Sequence, residues 1–453
     1  MREVRNQKSE VRVILLLTFI ILSFAFGANA QESSGQPTTG AQADLISEFD
    51  VNGLKVIVKR RPNAPTVSAG LFIRGGVRNL TPTTAGIESL MLSTATEASK
   101  KFPRDVMRKE LSKMASALGS GSNEDFSVIS LNSTRPNFDK TWDIFTDAIM
   151  NPSFTQADFD LVRGKILTAL KNQSISPDSA LDVLQDKVVY ANHPYANDPN
   201  GTPETIAAFK LEDIRAYHQK VMTTSQLLLV VVGDVDPDVL QKRVADSLGK
   251  LPKGNYKETP LPQITFDKPS LDITSRAVET NYIKGIFAAP SLSNPDYYAM
   301  RVAMTLLQSK VINEVRNKRQ LSYAPNAEMA DDAANTANIY VTANDANQSV
   351  SLMLNEIDKM RESGVDEEEF QGLPGYFLTT YFIKQETNAS QVAELARYEL
   401  IGGGWRNSLK FIDNMLAVKP QDVKTVANKY MKNIRFVVIG NPAAINKQVF
   451  MPN

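Results

Sequence analysis

The chain has 453 residues, 42% hydrophobic and 22% charged, with Lys+Arg and Asp+Glu both at 50 and so no formal net charge. That length suits two to four domains, and the even charge gives no reason to expect a nucleic acid or an anionic membrane as partner. Cysteine is absent and histidine occurs only at His193 and His218, which excludes disulfides, thiolate zinc sites, cysteine nucleophiles, a lipidated N-terminal cysteine and any histidine-cluster enzyme built within this chain alone.

At the start of the chain Arg2, Arg5, Lys8 and Arg12 precede the apolar run VILLLTFIILSFAFG (13–27), and Ala28-Asn29-Ala30 supplies small residues. This is the grammar of a secretory signal peptide over 1–30, cleaved after Ala30, and it predicts export to a bacterial periplasm. The run is shorter than the ~20 residues of a spanning helix. Residues 31–44, rich in Ser, Gly, Gln and Thr, read as a flexible lead-in. No later segment is apolar enough to span a membrane, so no span is expected once the signal is removed.

GLKVIVKRR (53–61) and TVSAGLFIRGG (66–76) then alternate as strands, separated by Pro62 and Pro65. TAGIESLMLSTATEAS (84–99) has Ile87, Leu90, Met91 and Ala95 on one helical stripe, with Ser89, Leu92, Ser93 and Thr96 opposite. A further helix covers DFDLVRGKILTALKNQ (158–173). In NGTPETI, Thr202 caps a helix whose first residue is Pro203. The segment 212–237 reads as an amphipathic helix, a turn and a buried strand ending in Gly-Asp, and 421–442 repeats that pattern with Gly-Asn. Two copies of one ending indicate a duplication.

Between the copies, 251–270 holds four prolines in twenty residues, the composition of a linker. The expected organisation is an N-terminal half over 45–255, a linker over 256–270 and a C-terminal half over 271–450. The second half opens with a single strand, NYIKGIFAAP (281–290), and a long helix from Pro295. Mixed strands and amphipathic helices give an α+β class, each half an α/β sandwich with a mostly antiparallel sheet and helices on one face. The basic runs Lys59-Arg60-Arg61 and Arg316 to Arg319 read as solvated faces. The run IGGGW (401–405) terminates a helix and is no phosphate loop, since no Lys-Ser/Thr follows.

Four stretches, in order, carry a resemblance over nearly all of 45–450: GLKVIVKRRPNAPTVSAGLFIRGGVRN, HPYANDPNGTPETI, INEVRNKRQLSY and QETNASQVAELARYEL. The chain resembles the pitrilysin/insulinase-type metallopeptidases, which include the mitochondrial processing peptidases. The resemblance implies two homologous halves facing each other as a clamshell. In active members a helix carries His-x-x-Glu-His, and a glutamate on a second helix completes a zinc site whose open position takes water. The motif glutamate is the general base. An ungapped match puts Ser89 and Ser93 at the histidine positions, Leu92 at the base, and Thr168 or Ala169 at the downstream glutamate. A hydroxyl is a poor zinc ligand and leucine accepts no proton. The expectation is that this chain binds no zinc.

The family's second-half pattern R-x-x-x-x-L-x-Y is intact at Arg316, Leu321 and Tyr323. The resemblance implies that Arg316 and Tyr323 contact a peptide carbonyl and stabilise an oxyanion, with zinc on a homologous partner. It also suggests that the strand at 67–74 offers a peptide-binding edge. The expected function is a catalytically silent subunit of an exported heteromeric zinc peptidase. The alternative is a non-enzymatic peptide-binding or structural module of a cell-envelope complex.

Overall fold

A computed structural model describes residues 43–173 and 175–451. The signal peptide, its cleavage site after Ala30 and most of the lead-in lie outside the described residues.

The first sheet is built from β1 (Ile46–Val51), β2 (Leu54–Arg60), β3 (Thr66–Arg74), β4 (Ala117–Ser122), β5 (Phe126–Thr134) and β6 (Leu227–Gly233), in the order β1-β2-β6-β3-β5-β4. The second uses β7 (Ser270–Ser275), β8 (Asn281–Ala288), β9 (Asn326–Met329), β10 (Thr336–Ala343) and β11 (Arg435–Gly440), in the order β7-β11-β8-β10-β9. Without β1, the two orders are the same. Each sheet contains one parallel pair, β2 with β6 and β7 with β11, and is otherwise antiparallel. The duplication read from the two endings is therefore a duplication of topology.

The helices repeat in the same way. The first half contributes α1 (Ile87–Ala95), α2 (Arg104–Lys113), α3 (Phe138–Met150), α4 (Gln156–Gln173), α5 (Pro177–Val189), α6 (Pro203–Ala208), α7 (Leu211–Val221) and α8 (Pro237–Asp246). The second contributes α9 (Tyr297–Val311), α10 (Ala346–Glu362), α11 (Glu367–Gln371), α12 (Leu373–Lys384), α13 (Asn388–Ile401), α14 (Phe411–Leu416), α15 (Pro420–Tyr430) and α16 (Lys447–Phe450). By position between strands, α1 corresponds to α9, α4 to α12, α5 to α13 and α7 to α15.

Strand β6, LLLVVVG, is buried at every position, because it is central and covered on both faces; this is why it reads as a continuous apolar run. Its two faces belong to different clusters. Leu227, Leu229 and Val231 join α1, α3 and α7, whereas Leu228, Val230 and Val232 pack with Val392, Leu395 and Ala396 of α13. Helix α5 does the reverse, setting Leu181 and Val189 in one cluster with Ile286, Val437 and Ile439 of the second sheet. Each half thus covers the other's sheet with one helix. The exchange buries the second face of both sheets and gives two apolar clusters that each contain residues of both halves, while the second half keeps a further core of its own.

Asn388 fixes the start of α13. Its Nδ2 donates to Thr66 O at 2.7 Å, and its Oδ1 accepts from Arg61 Nη1 at 2.5 Å. At 4% exposure this asparagine is a clamp across the halves. Residues 251–269 run between the sheets without helix or strand. They are tied down all the same: Leu251, Ile264 and Phe266 are buried in the shared core, and Arg78 pairs with Glu258 at 2.8 Å.

Two expectations need correction. The second half opens with two strands, since Ser270–Ser275 pairs in parallel with β11. And β3 is no free edge: it pairs with β5 along Thr66–Arg74 and with β6 along Val67–Ile73. Every backbone group that a peptide would use there is already engaged. The edge strands of this sheet are β1 and β4.

Candidate functional site

Helix α1 begins at Gly86, whose φ is 86° and whose added Cβ would lie 2.7 Å from Asn200 O. Only glycine suits both the left-handed backbone and that close approach. The loop before α6 consequently crosses the first turn of α1, and Ser89 Oγ donates to Asn200 Oδ1 at 3.3 Å. One turn later, Ser93 Oγ lies 3.2 Å from Ser120 Oγ on β4. Leu92 has no exposed surface and sits in the main core. On α4, Ala169 and Thr168 are exposed, and Thr168 Oγ1 donates back to Gly164 O at 2.8 Å.

The two serines are thus side by side on one helix face, half-buried, and their hydroxyls are spent on protein acceptors. The sequence reading placed Leu92 with them on a polar face. It is instead core, because β4, α4 and α7 pack around α1 and bury it nearly all round. These residues do not fit a zinc ion: there is no imidazole, no carboxylate and no group able to take a proton from water.

No other residues rebuild the site. Glu88 is 2% exposed, and its Oε2 accepts from Tyr217 Oη at 2.7 Å. Burial pushes its pKa up to about 7, against the lowering influence of the Ser127 and Tyr217 hydroxyls. Glu97 is held by Lys165 at 2.8 Å and Arg108 at 2.7 Å. His193 accepts from Tyr195 N at its Nδ1, leaving Nε2 to donate to Pro262 O at 3.0 Å. His218 Nε2 meets Ile149 O at 2.8 Å. Burial lowers the pKa of both imidazoles, and both serve as neutral packing groups. Among the described residues, no group of three or more His, Cys, Asp or Glu side chains is placed to hold a metal ion.

Arg316 and Tyr323 are brought together. Helix α9 widens at its end into a π-helical turn, Ile312–Asn317, a local geometry often found at functional sites. It closes through Gln320 N to Arg316 O at 3.0 Å and Leu321 N to Val315 O at 2.9 Å, with Gln320 at φ 55°. That reversal carries Tyr323 back beneath Arg316, whose guanidinium carbon lies 4.3 Å from the ring centroid. Glu314 is taken up by Lys318 and Arg319. Among the described residues Arg316 therefore has no carboxylate partner. Tyr323 is 80% exposed. The pair forms a solvent-facing cation and phenol with free donors.

Residues 55–200 match the family Insulinase (Peptidase family M16), and residues 208–373 match the Peptidase M16 inactive domain. A "Non-peptidase homolog YmxG" of Helicobacter pylori is 24% identical over 80% of this chain and 86% of its own length. An "Uncharacterized zinc protease YmxG" of Bacillus subtilis is 18% identical over 83% of this chain and 93% of its own. Among solved structures, a peptidase M16 inactive domain from Pseudomonas fluorescens superposes with TM-score 0.81 at 18% identity, covering 87% of this chain and 98% of that one. The periplasmic protease PqqL of Escherichia coli superposes with TM-score 0.73 at 15% identity, covering 91% of this chain but 49% of PqqL. The fold, the order of the motifs and these matches agree: the chain belongs to peptidase family M16, the insulinase family, and lacks that family's zinc-binding and general-base residues.

Proposed function

We propose that this chain is the catalytically silent subunit of an exported, periplasmic heteromeric zinc peptidase. Zinc and the general base sit on a homologous partner carrying His-x-x-Glu-His, and this chain itself binds none. Arg316 and Tyr323 complete the shared chamber. They bind the carbonyl of the scissile peptide and donate to its oxygen as negative charge develops, the role for which a free guanidinium and a phenol are suited.

The observation that carries the proposal is a contrast within one chain. The residues that the ungapped match sets at the catalytic positions, Ser89, Leu92, Ser93 and Thr168 or Ala169, carry none of the four groups, whereas Arg316 and Tyr323 stand together, exposed and, among the described residues, without a carboxylate partner. Two facts about relatives support it. The chain matches about half of PqqL, a length that leaves room for a second unit of the same fold. PqqL is described as periplasmic, in keeping with a signal peptide here. Among the described residues no helix is long and apolar enough to cross a membrane. The first half serves as a wall, and the open side of β4, ALGSGS, is where an extended peptide would add as a strand.

Co-expression with a homologue that carries the zinc motif tests this. A complex should form that cleaves unfolded peptides, and Arg316→Ala in this chain should slow cleavage about 100-fold or more without dissociating it. A partner fully active alone, and unchanged on adding this chain, would contradict the proposal. A stable complex indifferent to both Arg316→Ala and Tyr323→Phe would point to the non-enzymatic envelope module.

A further inference from the structure

The topological repeat places α9, β9 and α12 where the first half has α1, β4 and α4. In the first half that space is closed, with α4 packed on α1 and the serine hydroxyls tied to Asn200 and Ser120. In the second half it is open: a pocket of about 200 Å³, partly exposed to solvent, lies between α9, β9, α12, α13 and Phe411.

Its polar groups are unevenly satisfied. Arg301 uses Nη1 to reach Tyr297 Oη at 2.9 Å and Asp331 Oδ1 at 2.8 Å, and Arg397 uses Nη1 on the other oxygen of Asp331. The remaining nitrogens of both guanidinium groups have no hydrogen-bond acceptor among the described residues, and the two side chains keep 23% and 28% of their surface open. Lys384, at the end of α12, also lines the pocket and has no hydrogen-bond acceptor among the described residues. The carboxylates, by contrast, are occupied. Asp331 takes three donors, Glu394 accepts from Gln385, and Glu328 accepts from Asn326 and Asn338. Three cations, Arg301, Lys384 and Arg397, thus line the pocket beside the carboxylates of Glu328 and Glu394, and each of those carboxylates already accepts at least one hydrogen bond. Opposite them is an aromatic wall in which Tyr381 and Phe411 stack at 5.5 Å. Burial, and then the nearby charge of Arg301, lower the pKa of Lys384, as expected of a cation awaiting an anion.

We propose that this pocket binds a carboxylate carried on an apolar or aromatic body, the acid held by Lys384 with the free nitrogens of Arg301 and Arg397, and the body held against Tyr381 and Phe411. Charge-assisted hydrogen bonds fix the acid, and the rings supply apolar area. The acid belongs either to the C-terminal residue of a peptide or to a free organic acid.

Calorimetric titration of the purified chain separates these sources. N-acetyl-Ala-Phe and 3-phenylpropionate are the two acids, and their carboxamides are the controls. At least one acid should bind saturably. Its amide and the Lys384→Glu variant should each weaken binding roughly tenfold to a hundredfold. Binding of the peptide acid alone identifies a peptide terminus, and binding of both acids identifies the free-acid class. Lys384→Met, which keeps the stem, should behave like Lys384→Glu, with an unchanged melting temperature showing that both variants are folded. Failure of both acids to bind, or equal binding of acids and amides, would overturn the proposal.

Discussion

The guanidinium of Arg316 lies over the ring of Tyr323 at 4.3 Å, on a helix end whose acidic neighbour Glu314 is already held by Lys318 and Arg319. An exposed cation–π pair contributes only about 0.5–1 kcal/mol, so stability gives little reason for the arrangement. Arg316→Ala and Tyr323→Phe should therefore leave the urea midpoint of this chain nearly unchanged. In the heteromeric peptidase proposed above, each should lower kcat about 100-fold to 1,000-fold, the usual effect of removing one oxyanion donor. A stability loss with undiminished turnover would make the pair structural.

Leu92, which the ungapped match sets at the family's general-base position, is fully buried. It has become a core residue. Leu92→Ala should cost about 2–5 kcal/mol by urea denaturation, whereas Ser93→Ala, which loses one half-buried hydroxyl contact, should cost no more than about 1 kcal/mol. Equal and small effects would mean that Leu92 is not packed as described.

The buried carboxyls set the direction of a pH dependence. Burial raises Glu88 to about 7, Asp186 to about 7 and Asp332 to about 8, the two aspartates also through the charge of Glu124. Folded pKa values above the unfolded range of about 4 mean that the native state binds extra protons. The resulting stability is complete below about pH 4 and is lost as pH rises through 7 to 8. Melting temperature should fall between pH 6 and pH 8.5, and Asp332→Asn should flatten that fall. A rise across the same interval would contradict the assignment.

Asn388 joins the start of α13 to Thr66 and Arg61 of the other half. Asn388→Ala leaves the Thr66 carbonyl and the Arg61 guanidinium short of a partner, at a cost of about 1–3 kcal/mol. Because α5 and α13 each pack into the sheet of the opposite half, unfolding should stay a single transition. Two separate transitions in the variant would show that the exchanged helices do not couple the halves.

What the sequence revealed was what lies close along the chain. The repeated helix–turn–strand endings were visible because β6 and β11 are buried central strands after amphipathic helices. Strand β4 was missed because ALGSGS lacks the branched and aromatic residues of a strand, and β7 because SLDITS is only half-buried at an edge. The central place of β3 depends on pairing with β6, far along the chain, which the resemblance that suggested an edge there did not reveal. Likewise, the amphipathic faces of α5 and α13 announce burial without naming the sheet that buries them. The absence of a His-x-x-Glu-His motif was readable directly from the sequence. The fate of Leu92 as core and the cationic pocket of the second half came only with tertiary packing.

The most direct test is to purify this chain alone, measure its zinc content by mass spectrometry and assay it on an unfolded peptide. No stoichiometric zinc and no cleavage are predicted, with cleavage arising only when the zinc-bearing homologue is added. Tightly bound zinc together with proteolysis by the isolated chain would contradict the account.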